Sequence, residues 1–536
     1  MRIVALLAAL AVAPVGIWWG FHTENFARYW MALVLPFIGV ASLLIWFLIF
    51  GGGQFATRAK VFGWIALVGI ISLIVFRATF RYDGSTSGAS LPRFVPRWTP
   101  EDAGAVAELP EEEIDSAPRP VAAEALEGVV DSPQLYGPNR DAVWPETEVI
   151  ASLAWEENPP EQLWRRPIGL GWSGFSVVGR RAVTMEQRGD EELVTCYDLL
   201  TGEILWTHRD EARFYNVADS GKEMAGDGPR AVPTIHGQRV FTYGATGVLN
   251  CLSLETGEAI WQRDVFDELG KTLPKWGKST SPLMVEPEGL VVISGPERSG
   301  PTLLAYRAET GELAWQYEGH GASYSSPRLI ELKGLDTKMT RQLVSVNAGD
   351  VTGHDPATGE ELWLFPWYGE YPKVAQPVKV GDDRVLVTAS YGAGSYLLRV
   401  TESQEEGATE PSWSVFNVWK TIKLKTKFST AVTLDGYAYG LDEGRLACVN
   451  LSDGSRVWKD GKYGFGQNLL VGDRLLIQAE EGYLAVVVAT PEGFSEIARH
   501  EALHDMTWNP PTLAGRYLLV RNDREAVCFK LAEKKK

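Results

Sequence analysis

The stretch 195–206, TCYDLLTGEILW, constrains this chain more than any other because the chain repeats it. It returns as 250–261 (NCLSLETGEAIW), 304–315 (LAYRAETGELAW), 352–363 (TGHDPATGEELW) and 447–458 (ACVNLSDGSRVW). Each copy reads as a short apolar strand, a turn ending in Gly, and a strand with Trp four residues after that Gly. Thr-Gly or Asp-Gly between two such strands signals a β-hairpin, since Gly accepts the positive φ that the turn needs.

The turn glycines Gly202, Gly257, Gly311 and Gly359 follow one another at 48 to 55 residues, and a gap of 95 separates Gly359 from Gly454. That gap holds two repeats. A degenerate copy is expected there at Glu406-Gly407, with Trp413 displaced by two residues, and another follows Gly454, at Glu492-Gly493, with Ile497 in place of Trp. Four short strands per unit at this period predict a β-propeller. The last strands, 517–521 and 526–531, lack a following Trp strand, whereas 162–168 (QLWRRPI) has Trp164 and nothing before it. Joined, they complete one blade. The expected blade-docking residues are then Trp164, Trp206, Trp261, Trp315, Trp363, Trp413 and Trp458, with Ile497 as the eighth. The fold class is all-β, an eight-bladed β-propeller, preceded by an α-helical transmembrane anchor.

The pattern D-x-x-T-G-E-x-x-W resembles the tryptophan-docking repeat of the PQQ-like, quinoprotein-type eight-bladed propellers. That family spans PQQ-dependent dehydrogenases and non-catalytic, BamB-like assembly factors. The stretches 136–141 (YGPNRD) and 226–230 (GDGPR) resemble its members in planctomycete-type bacteria. The resemblance covers 133–532 and implies fold more than activity, because this fold hosts enzymes and scaffolds alike.

A net charge of −17 and a pI near 5.1 argue against a nucleic-acid partner, which calls for a basic surface. Cys196, Cys251 and Cys448 each stand six residues before a turn Gly, and Cys528 takes the matching place in the closing blade. Equivalent positions in different blades are far apart, so these are expected to be small buried residues rather than disulfides. No C-x-x-C, H-x-H or H-E-x-x-H supports a metal site.

Residues 1–81 read as a membrane anchor with three apolar runs, 3–20, 31–50 and 61–76, the third short for a span. Ala11-Val12-Ala13 resembles a signal-peptide cleavage site, but Pro14 hinders the cut and Trp18-Trp19 suits an interfacial anchor, so retention is expected. Residues 82–132, rich in Gly and Ser and then in Pro, Ala and Glu, read as a flexible acidic linker. The propeller occupies 133–532, its approach 132–141 lying against one face, and 533–536 is a charged tail. The family resemblance implies an exported propeller, hence a multi-pass inner-membrane protein with the propeller on the periplasmic side.

The loops entering the innermost strands shape one mouth of the central channel. They place Arg230, Trp276, Lys278, Tyr324, Lys427 and Trp508 as candidate binding residues, with Trp172, Ser173, Ser325, Phe465, Gln467 and Asn509 beside them. Cations converging there in an acidic chain suit an anion, and Arg engages carboxylates bidentately. Local pairing of the same side chains is the competing reading. His320, in Gly319-His320-Gly321, is the one histidine placed near that mouth. The resemblance brings PQQ and calcium as an enzymatic alternative. The adjacent cysteines of alcohol-oxidising quinoproteins are absent, however, and no Glu/Asn/Asp trio marks a calcium site. The expectation is a non-catalytic scaffold without cofactor or metal, partnered with the inner membrane and an envelope protein or peptide.

Overall fold

The computed structural model describes residues 27–85, 92–99, 118–119, 128–145, 152–214, 217–218, 221–222, 226–296, 300–369, 371–404, 406–407 and 410–533. The first apolar run, most of the expected linker and the tail 534–536 lie outside the described residues. The chain divides into two compact units, Met1–Ala105 with Val217–Met224, and Val106–Asn216 with Ala225–Lys536.

In the first unit, α1 (Ala27–Phe50) contains the second apolar run. Helix α2 (Phe55–Thr79) extends the third run at both ends to 25 residues, about the length that crosses hydrocarbon. It has no buried residue and carries basic residues only near its ends, at Arg58, Lys60 and Arg77. Among the described residues it is the one helix long and apolar enough to cross a membrane. Directly after it, β1 (Phe80–Ser85) pairs antiparallel with β2 (Pro92–Pro96). Part of the stretch expected to be flexible linker is therefore an ordered hairpin.

The second unit is the propeller: eight sheets, each with four antiparallel blade strands, consecutive in sequence in all but one. Blade 1 runs through Ser176–Val178, Arg181–Arg188, Glu191–Asp198 and Ile204–Asp210. Blades 2 to 7 span 234–264, 283–318, 328–366, 378–421, 432–460 and 467–501. Blade 8 takes three strands from 512–530 and its outer strand, Glu161–Pro167, from the other end of the propeller sequence. The ring thus closes by pairing its two ends, as the repeat count requires.

One local device recurs in every blade. The pairing of the two outer strands slips by one residue at a β-bulge, at Cys196/Tyr197 in blade 1 and at the equivalent place in the other seven. The residue just past the bulge is the repeat Trp, and opposite it stands the small slot: Cys196↔Trp206, Cys251↔Trp261, Cys448↔Trp458 and Cys528↔Trp164. All four cysteines are free and buried. The bulge bends the outer strand and re-aims its side chain. As a result Trp164, Trp206, Trp261, Trp419 and Trp458 donate their indole N–H to carbonyls of the next blade, those of Leu199, Leu254, Ala308, Leu451 and Thr490, at 2.9–3.0 Å.

The turn Gly of the next blade is the floor for this ring. A Cβ on Gly202 would stand 2.7 Å from Cδ2 of Trp164, on Gly311 2.7 Å from Trp261, and on Gly454 2.9 Å from Trp419. These glycines also hold φ of +72°. Two constraints, conformation and close approach, therefore fall on one residue.

Two expected Trp positions are corrected. In blade 5 the docking residue is Trp419, not Trp413. Both outer strands there are ten residues long, Gly394–Ser403 and Ser412–Thr421, so Trp413 pairs with Glu402 far from the bulge. In blade 7 the residue at the Trp register is Ala498, opposite Val486, because the connection is two residues longer than in blade 1 and Ile497 falls in the bulge. Trp155 packs there instead, 6.3 Å from the His500 ring, which stacks edge-on against Phe529 of blade 8 at 5.1 Å.

Two further tryptophans keep the expected register and depart from the docking bond. Trp315 of blade 3 stands opposite Ala305 and is buried over the next turn Gly, its Cδ2 2.6 Å from where a Cβ on Gly359 would be. Among the described residues, however, its indole N–H finds no acceptor. The acceptor place, three residues before the turn Gly, is held in blade 4 by Pro356. In blades 1, 2, 3 and 6 the residue at that place fixes its peptide by donating its own N–H, as Leu199 does to Arg180 O and Leu451 to Gly436 O. Proline has no N–H to give, so the carbonyl of Pro356 lacks that anchor. Trp315 therefore docks by ring packing alone. Trp363 departs differently. It is buried with blade 5 residues, yet its indole donates to Gln342 of its own blade at 2.6 Å.

The segment 128–144 lies along the inner edges of the innermost strands. Ser132 bridges Val177, Pro133 O accepts from Ile235 N, and Val143–Trp144 adds a parallel fifth strand to Gln467–Val471. Arg140, almost fully buried, donates to Ser281 O at 2.6 Å and Pro282 O at 2.8 Å. Innermost strands leave one row of backbone groups unpaired, and this segment satisfies part of it. Tyr136, Arg140 and Ala142 hold φ near +60°, a left-handed conformation sustained by these contacts.

Candidate functional site

One mouth of the channel is built by the loops that enter the innermost strands. Trp172 of blade 1 lies 4.7 Å from Trp508 of blade 8. Trp508 lies 4.9 Å from Phe428 of blade 6, and Phe428 lies 6.3 Å from Phe465 of blade 7. Lys427 sits among rings, its Nζ 4.7 Å from the centre of Tyr391, 4.9 Å from Phe465 and 5.2 Å from Phe428. Two carboxylates edge the cluster: Glu480 accepts from the Trp508 indole at 2.8 Å, and Glu443 accepts from Ser390 at 2.9 Å. Burial pulls the Lys427 amine down to about 8, against the pull of Glu443 and Glu480. A cation held over rings in this way gains from their quadrupoles.

The other candidates occupy a second group of blades. Trp276 and Tyr324 have ring centres 5.7 Å apart. Lys278 is buried and donates to Ser294 Oγ and Gly295 O, both at 2.8 Å. Arg230 spends its two terminal nitrogens on Gly228 O at 2.6 Å and Gly226 O at 2.7 Å, with its guanidinium 4.9 Å from the Phe214 ring. It closes its own loop, and burial lowers its pKa to about 10. Gln467 donates to Phe428 O and Trp508 O, and Asn509 donates to Ser173 O and Gly171 O, tying blades to one another. Ser325 Oγ donates to Ala375 O at 2.8 Å. His320 is half-exposed and pairs through Nδ1 with the buried Asp350 carboxylate.

Sequence reasoning missed Lys373, Tyr391, Phe428, Glu443 and Glu480. Lys373 was within reach: it stands three residues ahead of Gln376-Pro377, as Lys278 stands ahead of Ser281-Pro282. Its amine lies 5.2 Å from the centres of the Trp367 and Tyr371 rings and donates to Ala348 O, and burial lowers it to about 8. Tyr391 and the two glutamates sit in loops between the second and third strands, whose lengths differ from blade to blade, so no repeat spacing marks them.

Between blades 1 and 2, the buried Glu192 carboxylate accepts from Ala245 N at 3.1 Å and fills the space that a Cβ on Gly244 would take. Burial raises its pKa to about 8. The Ala245 N–H draws it down, Asp210 pushes it up and Arg230 draws it down again.

A planar tricarboxylate such as PQQ needs cationic forks and an open slot between rings. Here the Arg230 and Lys278 donors named above end on groups of the protein itself, and Trp172, Trp508 and Phe428 pack against one another. Among the described residues no group of three or more His, Cys, Asp or Glu could hold a metal ion. The mouth does not fit that cofactor as arranged. It is lined instead by packed aromatic rings, with Trp276, Tyr391 and Phe428 half-buried and Trp172, Tyr324, Phe465 and Trp508 buried.

The family model described as outer membrane protein assembly factor BamB matches residues 190–460. The outer membrane protein assembly factor BamB of Moranella endobia (strain PCIT) is 22% identical over 281 residues, which is 52% of this chain and 69% of the relative. Among solved structures, BamB from Moraxella catarrhalis covers 70% of this chain and 99% of its own, at 14% identity and a TM-score of 0.48. A europium-containing methanol dehydrogenase covers 73% and 89%, at 12% identity and a TM-score of 0.39. The family match takes in half of the chain and runs from the third strand of blade 1 to the last strand of blade 6, so the chain belongs to the outer membrane protein assembly factor BamB family.

Proposed function

We propose that this protein is a non-catalytic interaction scaffold of the cell envelope. In this reading N-terminal helices hold it in the inner membrane as a multi-pass protein, and the propeller on the periplasmic side presents its aromatic mouth to an envelope protein or peptide. The observation that carries the reading is the mouth itself: Arg230 and Lys278 bond to groups of the protein, and what remains on offer are the half-buried rings Trp276 and Phe428. Aromatic side chains give large contact area at low entropic cost, and they are enriched where proteins meet. Family membership supports the same reading, since the family is described as an assembly factor.

The alternative, a PQQ-dependent membrane-bound dehydrogenase, makes a different demand. It needs cofactor, metal and a general base held together. The test is to titrate the detergent-solubilised chain with PQQ and Ca²⁺ by calorimetry and to assay dye-linked oxidation of alcohols and sugars. The expected result is no turnover. Saturable, PQQ-dependent turnover that Arg230→Ala, Lys278→Ala and Lys427→Ala abolish would sink the scaffold reading. A photo-crosslinker placed at Trp276 is expected to capture a discrete envelope partner, and one at exposed Val457 on an outer strand is not.

A further inference from the structure

The hairpin that follows α2 is unlike its surroundings. Residues 77–99 hold four arginines and one aspartate, in a chain whose net charge is −17. The hairpin is also two-faced. Cross-strand partners share a face, so Phe80 with Pro96 and Tyr82 with Phe94 make one side, and Arg81 with Val95 belongs to the other. The first side continues the helix: Phe76, in the last turn of α2, stacks on Phe80 at 5.0 Å and meets Phe94 edge-on at 5.1 Å, and Tyr82 meets Phe94 at 6.1 Å. Phe76, Tyr82 and Phe94 are each more than 40% exposed, a contiguous aromatic patch open to its surroundings. Arg93 and Arg97 alternate with Phe94 and Pro96, which puts them on the Arg81 side.

The hairpin is also joined to the helix end. Arg97 donates its backbone N–H to Thr79 O at 2.8 Å and its Nε to Arg77 O at 3.0 Å. These are among the carbonyls that a helix C-terminus leaves without an intrahelical partner, so the bonds seat the hairpin at the point where α2 ends.

We propose that this hairpin is an interfacial element that docks on the bilayer crossed by α2. Its aromatic face enters the headgroup boundary, and its arginine face binds the phosphates of anionic phospholipid. The proposal rests on the membrane-spanning reading of α2. Two observations single out lipid as the occupant. The aromatic patch is continuous with the apolar surface of a helix that has no buried residue, and aromatic rings with a polar edge favour that depth. The guanidinium face also has the charge and the forked geometry that phosphate takes.

The test uses the full chain in lipid nanodiscs. The four native cysteines are buried, so a brief pulse of nitroxide reagent labels an introduced Phe94→Cys. Collision with oxygen and with a nickel chelate then reports depth. In bilayers containing phosphatidylglycerol the label is expected at headgroup depth, shielded from nickel. Arg81→Gln with Arg93→Gln should shift the docked fraction outward by about fivefold per guanidinium, and the Lys pair should restore most of it. Nickel access at residue 94 equal to that of a label on exposed Glu492→Cys would overturn the proposal while leaving the spanning helix intact. Equal depth in pure phosphatidylcholine and in phosphatidylglycerol would overturn it too. Release of the whole chain by alkaline carbonate would overturn the spanning reading along with it.

Discussion

Replacing Gly202 by Ala adds one methyl group and tests how the propeller closes. Gly202 holds φ of +72°, and the new Cβ would stand 2.7 Å from Cδ2 of Trp164, 3.0 Å from Cε3 and 3.0 Å from Cγ. Two costs add. Holding Ala in the left-handed region costs about 1 kcal/mol. Pushing back the indole of Trp164, a ring only 8% exposed, costs about 1–3 kcal/mol as overpacking. Losing its 2.9 Å bond to Leu199 O costs about 1 kcal/mol more. The expected total is about 3–5 kcal/mol. Gly179 is the internal control, because it lies in the same blade at φ of +57° with nothing within 4 Å of its Cβ. Gly179→Ala should cost only the conformational part, about 1 kcal/mol. Thermal or urea unfolding of the detergent-solubilised chain reads both. A double-mutant cycle then isolates the contact: in a Trp164→Ala background, Gly202→Ala should fall to the Gly179→Ala value. Equal losses for Gly202→Ala and Gly179→Ala in the native background would refute the claim that the turn Gly is the floor for the neighbouring Trp.

Glu192→Gln keeps the shape and removes the charge. A carboxyl raised to about 8 contributes stability that is present below its ordinary value near 4.5 and is lost as pH rises through 8. The variant should therefore match the native chain at pH 5 and exceed it at pH 9, by up to about 4 kcal/mol, and equal melting profiles at both pH values would refute the assignment. Arg140→Ala removes the donor of Ser281 O and leaves Pro282 O with the Thr234 hydroxyl alone. It should cost about 2–4 kcal/mol and open the bond after Tyr136 to chymotrypsin, and unchanged protection would show that Arg140 does not hold the inner segment.

Blade count, closure of the ring and most docking tryptophans were legible in the sequence because one contact imposes several requirements at once. A turn Gly, a small residue six positions before it and a Trp four positions after it are three consequences of one indole lying on the next blade. Where the outer hairpin lengthens, the spacing no longer carries the contact. Trp419 replaces Trp413 because docking follows the bulge, not the distance from the turn. Ala498 replaces Ile497 for the same reason. At Trp315 the spacing carries the ring but not its hydrogen bond, since that depends on one residue of the following blade, Pro356. Segment 132–141 was legible as a piece outside the blades, but the side chains it aims at were not, because its partners lie on blades hundreds of residues downstream, as with Tyr136 and Gln467. The hairpin after α2 was hidden by composition: the Gly and Ser residues in the sequence between its strands resemble a linker, and its strands show their two faces only once they are paired.

The candidate site shows why position in a repeat falls short of chemistry. The repeat places Arg230, Lys278, Lys373 and Lys427 ahead of innermost strands, at comparable depth, and the sequence reads any such set as an anion receptor. Depth is what changes their use. A cation that is nearly buried needs acceptors to offset its desolvation, and the nearest acceptors are the carbonyls of its own loops. Arg230 takes two of them, Lys278 one with a serine hydroxyl, and Lys373 one. Lys427 takes rings. The same loops, set further apart and left open, would turn these side chains toward a ligand. Closed as they are here, they convert charge into support for an aromatic surface. On the scaffold reading proposed above, the acceptors that these mouth cations find decide whether they brace the rings or meet a ligand.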